Sequence, residues 1–297
     1  MPVARCRRAR YYRIVRRHRL VAFFLITFGL SWGIPGSLLL LSTLTGAFQL
    51  SLNRLSALSC LFFWGPALSA SLVIALTQGG RGLLAFLRRL TQMRFAWRWW
   101  LAVGVGVPLL KLLAFGIAEE TDQSWTLVTS LPADVLLTST ALAALEVPVS
   151  EFGWRGFALP LLQRRVNGLV ASVFLGALWV LWYIPWLLPG AIMTWSPGGD
   201  SIPSIIRFFA GGIALSITTT AIFNGGRGSI PLVVLFHWLS SLPRAWELDA
   251  AISYIDTVIA ISTAVVLIFV VRRRYLWRSG LSTELTPNVP EPQPESR

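Results

Sequence analysis

The chain has 297 residues, 55% of them hydrophobic and 13% charged, with a net charge of +13 and a mean hydropathy of +0.64. A soluble domain carries about 25% charged residues, so this composition excludes a water-soluble globular protein and indicates a polytopic, all-α membrane protein. So basic a soluble chain would suggest nucleic acid, but no aromatic-basic platform of the strand-binding kind accompanies the arginines, and nucleic acid is not expected as a partner.

The first 19 residues hold eight arginines and run directly into Leu20–Leu41, a membrane-length apolar segment. That is the pattern of a cytoplasmic flank facing anionic lipid. The segment is too long for a signal-peptide core and is read as a retained anchor. A helix needs about 20 mostly apolar residues to cross the hydrocarbon. Eight segments qualify, near 20–43, 55–77, 99–118, 132–150, 168–189, 205–223, 229–243 and 250–271. Backbone amides in lipid must be satisfied within the segment, so these are predicted as helices.

The connections follow an alternation. The 78–98 loop holds Arg81, Arg88, Arg89, Arg94 and Arg98, the 152–167 loop holds Arg155, Arg164 and Arg165, and the last tail opens with Arg272, Arg273 and Arg274. The 119–134 loop instead holds Glu119, Glu120, Asp122 and Asp134, and the 190–204 loop holds Asp200. Eight spans with both ends in the cytoplasm satisfy this pattern. Trp97, Trp99, Trp100, Trp195 and Trp277 fall at span ends, where an indole is half wet. The expected organisation is a basic tail over 1–19, a transmembrane domain over 20–271 with its motif region at about 135–245, and a cytoplasmic tail over 272–297. Beyond about residue 280 the tail is too polar and proline-rich to build a core. Its Glu-Ser-Arg end is not a prenylation signal. Cys6 and Cys60 suggest neither a disulfide nor redox chemistry.

Residues 150–156, Ser-Glu-Phe-Gly-Trp-Arg-Gly, carry the strongest site signal. Glu151 and Arg155 are four apart and face each other on a helix. A charge at the hydrocarbon costs about 2.5–3.5 kcal/mol on insertion scales, which makes the pair a functional-site candidate. Its plainer reading is an ion pair that lets the chain turn at the cytoplasmic boundary, with Arg155 snorkelling. His237 lies inside the seventh span, where an imidazole can bridge helices, relay protons or ligate a metal. Asn224 ends the sixth span before Gly-Gly-Arg-Gly and reads as a cap to a tight turn. That loop lacks the lysine and hydroxyl of a phosphate loop. Lys111 and Glu146 are two further charges within spans, and their plainer role is mutual neutralisation.

Residues 150–165 resemble the first motif of the CAAX protease and bacteriocin-processing (CPBP, or Abi) family of intramembrane proteases. That motif reads Glu-Glu-x-x-x-Arg, often Glu-Glu-x-Gly-Trp-Arg-Gly followed by Leu-Pro and a basic pair. Glu151, Gly153, Trp154, Arg155, Gly156, Leu159, Pro160, Arg164 and Arg165 match it. Phe23–Trp32, Gly65-Pro66-Ala67 with the arginines up to Trp99, and Asn224–His237 resemble further family segments, so the resemblance covers roughly residues 20–270.

The resemblance implies an eight-helix bundle in a prokaryotic plasma membrane that hydrolyses membrane-associated peptides, prenylated C-termini in the CAAX-processing members. A family site combines the first glutamate of the pair with a histidine from the next motif to activate water, with or without a divalent metal such as zinc. A histidine and an asparagine four residues apart in the last motif orient the site or hold the oxyanion. Three of these four positions differ here: Ser150, Tyr183 in Trp182-Tyr183-Ile184-Pro185, and Ser241. Glu151 and His237 remain as candidate catalytic residues or ligands, too few for a catalytic zinc, which takes three protein ligands, so a bound metal is expected to be weak or absent. Ser150, Tyr183 and Ser241 are altered site positions, with Arg155 as ion-pair partner and Asn224 and Trp154 beside the site. Glu146, four before Ser150, is a candidate replacement carboxylate.

Three functions are therefore weighed: an endopeptidase homologue with an altered site, a pseudoprotease that binds membrane peptides or modulates an active relative, and a small-solute transporter using Lys111, Glu146 and Glu151 as a relay. For Glu151 to meet Tyr183, the fourth helix must continue past Trp154 or the boundaries must shift by a turn.

Overall fold

The computed structural model describes residues 15, 18–46, 57–94, 96–122, 134, 137, 141, 149–187, 202–241, 250–270 and 275–277. The described residues are helical, with no strand among them. Helix α1 (Arg19–Ser31) passes through a π-helical turn (Trp32–Gly36) into α2 (Ser37–Thr45). Pro35 lies in that turn; a proline has no N–H to donate and crowds the carbonyl one turn back, so the ladder widens there. Helix α3 spans Ala57–Leu90, α4 spans Trp97–Leu101, and a second π turn (Ala102–Gly106) leads into α5 (Val107–Asp122). After the motif helix come α7 (Gly168–Trp182), the short α8 (Ile184–Leu187), α9 (Ile202–Gly225), α10 (Ile230–Ser240) and α11 (Ala250–Val270). Among the described residues four stretches are long and apolar enough to cross a membrane: Arg19–Ser42, Cys60–Leu90, Trp97–Ala114 and Ile205–Gly225. The expected span at 132–150 lies almost wholly outside the described residues, and Glu146 with it.

Two expected loops are helical instead. Residues 78–90, assigned above to a loop, continue α3 beyond a single break at Gly79, whose backbone is left-handed at φ 70°. The helix resumes because Phe86 and Leu90, one turn apart, both reach the core while Leu84 and Leu87 face outward. Residues 152–163, also assigned to a loop, are helical as well. A helix over 149–153 enters a third π turn (Trp154–Ala158) and then α6 (Leu159–Gln163), and the chain turns only at residues 164–167. Pro160 is tolerated because it sits in the first turn of α6, just after the widened ladder. Asn167 then caps α7, its side chain accepting from the Val170 amide at 2.9 Å.

Close approaches between helices set the position of the motif helix. A Cβ on Gly153 would stand 2.3 Å from the Pro66 carbonyl oxygen, so only glycine lets the motif helix lie against the backbone of α3. Gly176 plays the same part between α7 and α9, where a Cβ would stand 2.8 Å from that of Ser216. Ser216 donates to the Ser172 carbonyl at 2.8 Å across this contact. Small residues with interhelical hydroxyl bonds are how helices associate where the solvent is itself apolar.

The basic segments gather at one end of the bundle. Arg94 donates to the Arg227 carbonyl at 2.8 Å, and the Asn224 amide donates to the Tyr275 carbonyl at 2.6 Å. Tyr275 stacks edge-on against Trp99, and Leu276 is buried among Ala214, Ile217, Ala221 and Ala264. Asn224 thus ties the chain beyond α11 to the end of α9. The glycine turn after it is made by Arg227 and Gly228, both left-handed.

Gly153→Ala is expected to lower the melting temperature in detergent, by an overpacking penalty of about 1–3 kcal/mol. Gly116→Ala, where a Cβ meets nothing within 4 Å, is expected to be neutral or stabilising. Equal melting temperatures for both would remove the packing argument.

Candidate active site

The motif helix continues to Gln163 and meets the basic end on the way, where Arg89 donates to the Gly156 carbonyl. Glu151 lies one and a half turns before Gly156, roughly 7 Å along a helix. It is fully buried within the bundle. His237 is seven residues into α10 from Ile230, and Tyr183 lies at the far end of α7. The helix does continue past Trp154, and these residues reach one level.

Glu151 is fully buried, and its Oε1 is the centre of the site. Arg155 Nη1 donates to it at 2.9 Å from one turn along the same helix. His237 Nδ1 lies 2.6 Å from the same oxygen, 86 residues away in sequence. A carboxylate that already accepts from a guanidinium is an acceptor toward the imidazole too, so Nδ1 carries the proton and Nε2 is left as the outward-facing nitrogen. Glu151 thus orients His237, and Arg155 offsets the buried charge. Glu151 Oε2 is buried with no hydrogen-bond partner among the described residues.

Aromatic side chains wall the site. Trp179 lies 6.0 Å from His237 and 4.8 Å from Tyr183, ring centre to ring centre. Tyr183 is buried against Trp182, Phe62 and Phe63, while Trp182 stacks on Phe62 at 4.4 Å. Trp154 meets Trp182 and the α1 residue Phe23 edge-on. The indole N–H groups of Trp154, Trp179 and Trp182 are buried and, like Glu151 Oε2, lack hydrogen-bond partners among the described residues. The Trp179 N–H and Glu151 Oε2, each on a residue in contact with His237, are groups that a polar guest can satisfy.

The altered positions fall as follows. Ser150 is buried beside Glu151. Tyr183 joins the aromatic wall. Ser241 hydrogen-bonds back to its own helix: its hydroxyl donates to the His237 carbonyl at 2.7 Å, as its amide does at 3.1 Å. A hydroxyl committed in this way does not offer its proton to a developing oxyanion. Sequence reasoning missed Trp179. Its signal was present in the run Trp179, Trp182, Tyr183, whose i, i+3, i+4 spacing puts three rings on one face of α7.

The bonded atoms Glu151 Oε1 and His237 Nδ1 do not stand as two ligands of one zinc. Two ligands on one zinc, each at about 2.0–2.1 Å, must stand about 3.3 Å apart. Glu151 Oε1 and His237 Nδ1 are in direct hydrogen-bond contact at 2.6 Å. Among the described residues no three His, Cys, Asp or Glu side chains converge.

Residues 110–242, which include Glu151, Arg155 and His237, match the family described as type II CAAX prenyl endopeptidase Rce1-like. A curated CAAX prenyl protease 2 from Methanococcus maripaludis is 32% identical over 101 residues, which are 34% of this chain. The match spans 37% of that relative's length. Within the matched residues, Glu151, Arg155 and His237 form one bonded unit.

Removing one member of a buried charge pair typically costs about 3–5 kcal/mol. Glu151→Leu and Arg155→Leu are each expected to lower detergent stability sharply, and the double variant by less than the sum. Strict additivity in this double-mutant cycle, read by thermal unfolding, would show that the two side chains do not interact.

Proposed function

We propose that this protein is a membrane-embedded CAAX-endopeptidase homologue that receives membrane-associated peptides at the Glu151–His237 site and no longer hydrolyses them efficiently. The observation that carries this reading is the commitment of Glu151 Oε1 to both Arg155 and His237. The remaining carboxylate holds a histidine in place rather than activating water. The residues that would activate water by family analogy are Ser150 and Tyr183, and neither a neutral hydroxyl nor a phenol of pKa about 10 is an effective base. Loss of a positioned base alone forfeits about 10²–10⁴ in rate. His237 Nε2 and the orphaned indole N–H groups remain as hydrogen-bonding partners for a peptide backbone.

A second reading is favoured by the Glu151–His237 bond itself. A carboxylate-oriented imidazole is a competent general base, and water activated at His237 Nε2 would leave a slow endopeptidase. Under this reading Glu146 is a further candidate carboxylate, and Glu146→Gln is expected to abolish activity with little loss of stability.

The reading includes an eight-span bundle over 20–271 with cytoplasmic tails at 1–19 and 272–297, in a prokaryotic plasma membrane. Support comes from the apolar helices and from the gathering of the basic segments at one end.

The test is peptide cleavage and peptide binding in proteoliposomes, using farnesylated and plain hydrophobic peptides. Wild type is expected to bind without measurable cleavage, and the triple variant S150E/Y183H/S241N to cleave. Cleavage by wild type that is abolished in Glu151→Ala would overturn the first reading in favour of the second.

A further inference from the structure

The arginines at the basic end take no part in the Glu151 site, and their arrangement calls for its own account. No Asp or Glu occurs in residues 78–118, 152–199 or 201–246, which supply Arg89, Arg94, Arg164 and Arg227. Arg89 is half-buried, lies over the Phe86 ring and donates to the Gly156 carbonyl. Arg94 and Arg164 are both close enough to Arg89 to repel it. Arg94 is itself held, through its bond to the Arg227 carbonyl at 2.8 Å. Guanidinium groups fixed on backbone carbonyls cannot simply swing apart into solvent to relieve their repulsion. Two held cations with Arg164 beside them form a cradle for an anion with several acceptor oxygens, and the planar, forked donors of arginine suit phosphate.

The surroundings select the carrier of that phosphate. Leu84 and Leu87 on the outer face of α3 are exposed, as are Met93 and Trp97 beside the cluster. They are interleaved with exposed Arg81, Arg88 and Arg98, and a surface that mixes apolar side chains, a tryptophan and arginines suits the boundary between acyl chains and headgroups. We propose that Arg89, Arg94 and Arg164 bind the phosphate of an anionic phospholipid headgroup, with its acyl chains against Leu84 and Leu87. The bound lipid neutralises the cluster and keeps Arg89 on Gly156, one residue beyond Arg155 on the motif helix. Placement at headgroup level rests on the membrane reading above. Lipid retention in micelles does not depend on which face is cytoplasmic or on peptide binding, so failure here leaves that reading to its own test.

The full chain, purified in maltoside micelles, is mixed with dioleoylphosphatidylglycerol or dioleoylphosphatidylcholine, and bound lipid is counted by native mass spectrometry. Preferential retention of phosphatidylglycerol is expected. R94Q/R164Q is expected to lower it about fivefold for each charge removed. R81Q/R98Q removes the same charge from exposed arginines nearby and is expected to stay within about twofold of wild type. Equal losses in the two pairs would mean diffuse attraction to a positive face and would overturn the site. Displacement of the lipid by equimolar inorganic phosphate would assign the cradle to a soluble anion and overturn the lipid. If R94Q/R164Q does not fold, R164Q keeps the Arg94–Arg227 bond, and unchanged retention in it overturns the proposal as well.

Discussion

Glu151 carries a negative charge into an apolar bundle, and two groups offset its desolvation: Arg155 one turn later and His237 from α10. The ion pair is local and would form on an isolated helix, whereas the imidazole bond requires α10 to be in place. A buried pair contributes little net stability against an apolar alternative, but losing one member of it is expensive. The fold around Glu151 therefore has little freedom. The motif helix must lie close to α3, which Gly153 allows, and α10 must present His237 at a defined height. Trp154, Trp179 and Trp182 fill the remaining space with rings that exclude water and keep the charges close.

The same constraint orders the residues of the site. Glu151, Arg155 and His237 bond to one another, so none can be replaced without exposing the others to an uncompensated environment. Around them, Tyr183 packs among aromatic rings, and Ser241 turns its hydroxyl onto its own helix.

Much of this arrangement is legible in the sequence because it rests on local or compositional signals. Apolar runs placed α7, α9, α10 and α11 within a few residues, and the i, i+4 spacing of Glu151 and Arg155 foretold their bond. His237 stood out as an imidazole in an apolar run. Other features had no local signal. The segment 152–163 reads as a loop because its glycines and proline suggest a turn, yet a π turn accommodates Pro160 and the helix continues. The Gly153–Pro66 approach joins residues 87 apart, and the seat of Tyr275 against Asn224 joins residues 51 apart. Ser241 looked like a lost amide, and only its geometry shows where the replacing hydroxyl points.

The length of α10 has a consequence for how His237 is held. Its 11 residues extend about 16 Å, and none of residues 230–241 is exposed. A helix so short and so enclosed takes its position from the elements packed around it. His237, about 10 Å from the start of α10, is therefore kept at its height by neighbouring helices, and any shift of those neighbours is passed directly to the imidazole.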